Sequence, residues 1–221
     1  MLMKNLVSCL LVCDLFIVLL MFVACGGNSS SAENGGGSEY NAATGTLTDL
    51  RDNQDYKTVV IGKQVWMAEN LNYETSGSFV FPDYDSTGRE TYGRLYSWDE
   101  ALKACPADWR LPKEEDWNAL IAFVGDSLTA GTKLKAKDGW DKHKGDIAGT
   151  DDYGFAAYPG GASHVNGNNV RSFSNNGAFF WTATEKNDAR AIMFVMHFEK
   201  EGVESGGFPK ETWLSVRCIK D

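Results

Sequence analysis

The chain is 221 residues long, 43% hydrophobic and 23% charged, a balance that excludes both a disordered polar segment and a collagen-like repeat. Its 21 Lys and Arg stand against 30 Asp and Glu, a net charge of -9. With no cationic excess to displace counterions, nucleic acid is excluded as an expected partner. Seven Trp, twelve Phe and eight Tyr among 23 Gly indicate an aromatic core threaded by many turns.

The amino terminus carries Lys4 and then an apolar run from Leu6 to Val23, broken by Ser8 and Asp14 and ending at Cys25-Gly26-Gly27. An acidic residue in mid-run is costly in lipid, so residues 1–24 are expected to be a signal peptide and not a spanning helix. Phe22-Val23-Ala24-Cys25 resembles the bacterial lipobox. The resemblance implies cleavage before Cys25, lipid on its thiol and a membrane partnership through that lipid. Gly26 in place of Asp implies the bacterial outer membrane or cell surface. Cleavage removes Lys4 and Asp14 together, so the acidity belongs to the exported part. Residues 25–43 are expected to be a lipid-anchored Gly/Ser-rich tether, of which Gly26 to Tyr40 reaches about 20 Å as a flexible coil. Residues 44–221 are the expected single domain.

The domain opens with alternation from Gly45 to Leu50, and Tyr56 to Ile61 with Gln64 to Met67 around Gly62-Lys63 reads as a β-hairpin. Ser97 and Glu100 have capping-box spacing ahead of a short helix that ends at Pro106. Lys113 to Val124 places Trp117, Leu120, Ile121 and Val124 on one helical stripe, closed by Gly125. Short strands follow at Gly154 to Tyr158, Ala178 to Ala183, Ala191 to Phe198 and Trp213 to Ile219. Two helices segregated between groups of strands predict an α+β fold with a mainly antiparallel sheet and long loops.

Of the five cysteines, Cys9 and Cys13 lie in the signal segment and Cys25 in the lipobox, which leaves Cys105 and Cys218. An even pair in an oxidising compartment reads as a disulfide, with two inert buried thiols as the alternative.

Three runs then stand out: Gln64-Val65-Trp66-Met67-Ala68-Glu69-Asn70-Leu71-Asn72-Tyr73, Tyr92-Gly93-Arg94-Leu95-Tyr96-Ser97-Trp98, and Ala104-Cys105-Pro106 through Trp109-Arg110-Leu111-Pro112. Gly149-Thr150-Asp151-Asp152-Tyr153-Gly154-Phe155, Phe180-Trp181-Thr182-Ala183-Thr184-Glu185 and Leu214-Ser215-Val216-Arg217-Cys218-Ile219-Lys220-Asp221 complete the set. Together they resemble the Fibrobacter succinogenes major paralogous domain, a family of exported bacterial proteins, over about Gly45 to Asp221. The resemblance implies a C-type-lectin-like fold, a superfamily that includes the formylglycine-generating enzymes. Members often carry a second cysteine pair before the Tyr-Gly-Arg-Leu-Tyr run. Phe81 to Thr91 has none.

No catalytic constellation is visible. The Glu-Pro-Asn or Gln-Pro-Asp loop and the Trp-Asn-Asp strand of calcium-dependent lectins are absent, and no motif calls for a cofactor. Asp83 to Gly88 begins like an EF-hand loop, but Arg94 stands where the bidentate Glu is required. Asp151 and Asp152, with Asp146 nearby, are weak Ca²⁺ candidates that read more simply as turn residues. His143, His164 and His197 lack the spacing of a zinc site. Trp66, Trp98, Trp109 and Trp117 fall in core patterns. Trp140, Tyr153 and Asp151, in the loop-rich stretch from Lys137 to Asn176, are left as binding candidates for stacking, stacking with a hydroxyl, and a hydrogen bond. The expectation is a binding module for polysaccharide or a protein partner, with no enzymatic activity favoured. The alternatives are a structural envelope protein without a small ligand and an enzyme related to the formylglycine-generating fold.

Overall fold

The computed structural model describes residues 37–80, 86–140, 147–166, 169–173 and 177–221. Cys25, Asp83, His143, Asp146 and the remainder of the signal and tether expectations up to Gly36 lie outside these residues. The chain begins with β1 (Ser38–Asn41), β2 (Thr46–Asp49), β3 (Gln54–Ile61), β4 (Gln64–Met67) and β5 (Ser78–Phe79). There follow α1 (Ser86–Tyr92), β6 (Leu95–Tyr96), α2 (Trp98–Ala104), β7 (Trp109–Arg110), α3 (Glu114–Val124) and α4 (Ala130–Leu134). The remainder is β8 (Ala162–Asn166), β9 (Asn169–Phe173), β10 (Gly177–Asn187), β11 (Arg190–His197), β12 (Glu204–Pro209), β13 (Leu214–Ser215) and β14 (Ile219–Lys220).

Two six-stranded sheets result, in the orders β1-β2-β3-β4-β14-β7 and β12-β11-β10-β13-β6-β5, beside the hairpin β8-β9. Pairing is antiparallel except between β10 and β13, which run parallel through Phe180 and Ser215. The fold is therefore α+β and mainly antiparallel, as the segregation of helical and strand patterns indicates. The β3-β4 hairpin forms as expected because Gly62, at φ 62°, supplies the left-handed conformation that its two-residue turn needs.

Helix α3 buries Trp117, Leu120, Ile121 and Val124 on one stripe. The Asp116 carboxylate accepts the Lys113 N–H at 2.7 Å, satisfying a backbone donor where the helix dipole favours an anion. Ser97 does sit at the N-cap of α2, but its side chain makes no cap hydrogen bond. That helix start is instead fixed by tertiary contacts, since the Trp98 backbone N–H donates to Lys210 O at 3.0 Å and its indole donates to Thr182 O at 2.8 Å.

Two apolar clusters fill the interior. One gathers Leu47, Tyr56, Met67, Tyr96, Trp98, Trp109 and Trp181 with their neighbours, and the other surrounds Trp117. The Trp117 ring lies 5.1 Å from Phe194 in a stacked arrangement and 5.2 Å from Trp66 edge-on, with Phe155 and Phe180 also in contact. Such offset and edge-to-face packing is what the aromatic quadrupole favours. Trp66, Trp98, Trp109 and Trp117 are all buried, as their patterns predict.

Several boundaries differ from expectation. Ser38–Asn41, read as tether, is an edge strand paired with β2, and Tyr40 packs edge-on against Trp109 at 5.6 Å. The folded unit therefore starts upstream of Thr44. Gly154 to Tyr158 is not a strand but makes one isolated bridge, Lys135 to Ala157. Positive φ angles at Asp151 (45°) and Ala156 (47°) bend the chain away from extended geometry. Trp213 to Ile219 is two strands, one in each sheet, joined by residues 216–218, and a period-2 pattern cannot reveal that a chain changes sheets between apolar residues. Helices α1 and α4, at seven and five residues, are too short to show a helical stripe.

Cys105 and Cys218 form a disulfide, with their Cα atoms 5.9 Å apart and a sequence separation of 113. The bridge ties the end of α2 to the crossover just before β14. On the chain-entropy account, Cys105→Ser with Cys218→Ser should lower the unfolding free energy by about 4 to 5 kcal/mol. Urea unfolding of the oxidised protein and the double variant measures it, and a difference below about 1 kcal/mol would mean that the bridge does not restrict the unfolded chain.

Candidate functional site

The crossover from β13 to β14 carries Arg217, a fully buried residue. Its guanidinium donates to Phe155 O, to Ala156 O at 3.1 Å and to Asn70 Oδ1 at 2.7 Å. It also lies over the faces of Phe155 and Phe180, at 4.5 and 5.3 Å from the ring centroids. No carboxylate pairs with it among the described residues, so carbonyl dipoles and two aromatic faces carry the charge. Burial lowers its pKa to about 9, which leaves it protonated at neutral pH.

Asn70 is the other half of this joint. Its Nδ2 donates to Tyr92 O at 2.9 Å while its Oδ1 accepts from Arg217. Gly93, at φ 69°, passes so close that a Cβ there would lie 2.8 Å from Asn70 Cβ and from Leu71 O. Glycine is required at this crossing for both conformation and space. Residues from three of the sequence runs, around Asn70, Gly93 and Arg217, therefore meet at one buried point.

That joint fixes the wall of a cleft of about 410 Å³ lined by Lys57, Glu69, Glu90, Asp151, Ala156 and Tyr158, among others. The loop forming one wall lies along α4 and the residues after it: Thr150 N–H donates to Thr132 O at 2.8 Å, Asp152 N–H to Lys133 O at 3.0 Å, and Ala157 N–H to Leu134 O at 2.8 Å. Opposite, Glu69 is oriented by β3, its Oε2 accepting the Lys57 N–H at 2.7 Å. Burial, and then a hydrogen bond to Asp138, raise the pKa of the Tyr158 hydroxyl, so it is a neutral donor and acceptor at neutral pH. The cleft thus combines carboxylate acceptors, an ammonium and a phenol ring.

The residues singled out from the sequence divide. Asp151 does line this cleft, yet its Oδ1 accepts the Ala156 N–H at 2.8 Å across a left-handed turn, so it shapes the wall as well as facing the opening. Asp152 is exposed beside it. Among the described residues no three His, Cys, Asp or Glu side chains come together to hold a metal ion. Tyr153 packs against the Trp117 cluster and edge-on to Phe123 at 6.1 Å. Trp140 is half-buried against the same cluster, with the Lys135 ammonium 5.0 Å from its ring centroid. Neither aromatic residue lines the cleft.

Tyr158 is the aromatic residue at the opening, and sequence reading missed it. It falls in a segment expected to be a strand. The signal was Pro159-Gly160-Gly161 immediately after it, a turn sequence that marks a loop end and not a strand interior.

Among protein-family models, the one described as Fibrobacter succinogenes major domain matches residues 59–220, well over half of the chain. No curated protein and no solved structure matches.

Arg217→Ala should be among the most destabilising single changes, because it strands two carbonyls and the Asn70 amide oxygen in the interior and opens a cavity under Phe155. A loss of about 3 to 5 kcal/mol is expected in urea unfolding. Arg217→Lys should restore little, since one ammonium lacks the planar fork that reaches three acceptors at once.

Proposed function

We propose, from the premise that the chain belongs to the Fibrobacter succinogenes major domain family, that it is an exported, lipid-anchored binding module of C-type-lectin-like architecture. Its ligand on this reading is polyhydroxylated, a polysaccharide at the bacterial outer membrane or cell surface. The observation that carries the proposal is the convergence of Tyr158, Glu69 and Asp151 on one cleft. Carboxylates accept from sugar hydroxyls in pairs, and a phenol ring stacks on the apolar face of a pyranose. The size of the cleft is within the range of small-ligand sites.

The lectin-like architecture is supported by the short helices set between antiparallel strands, the long loops and the disulfide from helix to C-terminal segment. Export is supported by the signal pattern of residues 1–24 and by the disulfide, since such bonds persist in oxidising compartments. An enzyme of the formylglycine-generating type is disfavoured because Cys105 and Cys218 are bonded to each other and offer no thiolate.

Purified protein on a glycan array tests the binding reading directly. Selective binding is expected, and unchanged by chelator, because among the described residues no three metal-ligating side chains come together at the cleft. Tyr158→Ala and Glu69→Gln should each weaken it about tenfold or more, the scale of losing one central contact. An array without signal would favour a structural envelope protein without a small ligand.

The anchor is tested separately. Mass spectrometry of membrane-extracted protein should find an acylated Cys25 as the first residue, and Cys25→Ser should release the protein from membranes. A mature chain starting downstream of Cys25 without lipid would overturn it.

A further inference from the structure

A second pocket, of about 300 Å³, is lined by Ala162, His164, Arg190, Phe208, Pro209 and Thr212 and shares no residue with the cleft. Its floor reaches the interior, since Ala162 belongs to the first apolar cluster and Phe208 packs against it. One wall is the turn in which the Thr212 N–H donates to Pro209 O at 3.0 Å. Its two ionisable lining groups can only be neutral or cationic. The Arg190 guanidinium is tied at Nη1 to Gly207 O at 3.0 Å, and among the described residues it makes no ion pair. The His164 Nδ1 lies 3.5 Å from Thr212 Oγ1. With the hydroxyl donating to Nδ1, the imidazole keeps its Nε2–H as a donor.

We propose that this pocket binds a small carboxylate with an apolar body, of the aryl- or alkyl-acid class. The apolar part would fill the space against Ala162, Phe208 and Pro209, where burial of hydrocarbon is favourable. The carboxylate would meet the free face of Arg190, with the imidazole N–H as a second donor. In a chain of net charge -9, a pocket whose described lining holds Arg and His and no carboxylate favours an anion over a cation. Its chemistry is the reverse of the acidic cleft, and it does not depend on that cleft being a sugar site.

Isothermal titration with 3-phenylpropanoate, alongside 3-phenylpropanamide and 3-phenylpropylamine, tests the proposal on the purified protein. The acid should bind at sub-millimolar to millimolar concentration, and the amide and amine at least about tenfold more weakly. Arg190→Gln and His164→Gln are changes outside the apolar clusters, and their folding is checked by near-ultraviolet circular dichroism. Arg190→Gln should weaken the acid about tenfold, His164→Gln by a smaller factor, and Arg190→Lys should retain part of the binding. Tyr158→Ala should leave it unchanged, so failure here and failure of the sugar reading are told apart. Absence of binding up to about 10 mM acid, equal affinity for acid and amine, or full affinity in both Gln variants would overturn the assignment.

Discussion

A positive charge placed in an apolar interior and held by neutral acceptors constrains everything around it. Arg217 is fully buried and is met by Phe155 O, Ala156 O and Asn70 Oδ1. Those acceptors come from the loop after Asp151 and from the segment that follows β4. None can move far without stranding a charged donor, at a cost of several kcal/mol. The cleft wall, the passage of the chain between sheets and the close approach of Gly93 to Asn70 thus form one mechanical unit.

This explains what the recognisable sequence runs are for. Asn70, Gly93, Ser215 and Arg217 meet at the joint, while Trp66, Phe155, Phe180 and Trp181 build the aromatic clusters around it. Specific short motifs in order can mark a reacting centre, but here their most buried members serve packing and hydrogen bonding. The cleft and the pocket are lined in part by residues outside the runs, including Lys57, Tyr158, His164 and Arg190. The residues that line the cleft and the pocket can therefore change without disturbing the joint.

What could be read in advance follows the same division. The β3-β4 hairpin and α3 were legible because a two-residue turn and a helical stripe of Trp117, Leu120, Ile121 and Val124 are local signals. The disulfide was legible through the elimination of Cys9, Cys13 and Cys25. The sheet change at residues 216–218 and the edge strand Ser38–Asn41 were not, because both are decided by partners distant in sequence. Of the candidate site, loop composition singled out Asp151, which lines the cleft, whereas Trp140 and Tyr153 stand in polar stretches yet pack against the Trp117 cluster. The residues that pack on them are Lys135, which caps α4, and Phe123 on α3, and neither contact shows in the polar stretch around each aromatic.

The position of β14 has a consequence for the order of assembly. The strand lies inside the first sheet, between β4 and β7, pairing Ile219 with both Trp66 and Arg110. Until residues 214–220 have been made, β7 has no strand to join, β4 has an open edge and Asn70 has no guanidinium to bind. Contacts of such long sequence separation also close slowly. A chain still being synthesised is therefore kept from locking into its native form until residues 214–220 can pair with β4 and β7.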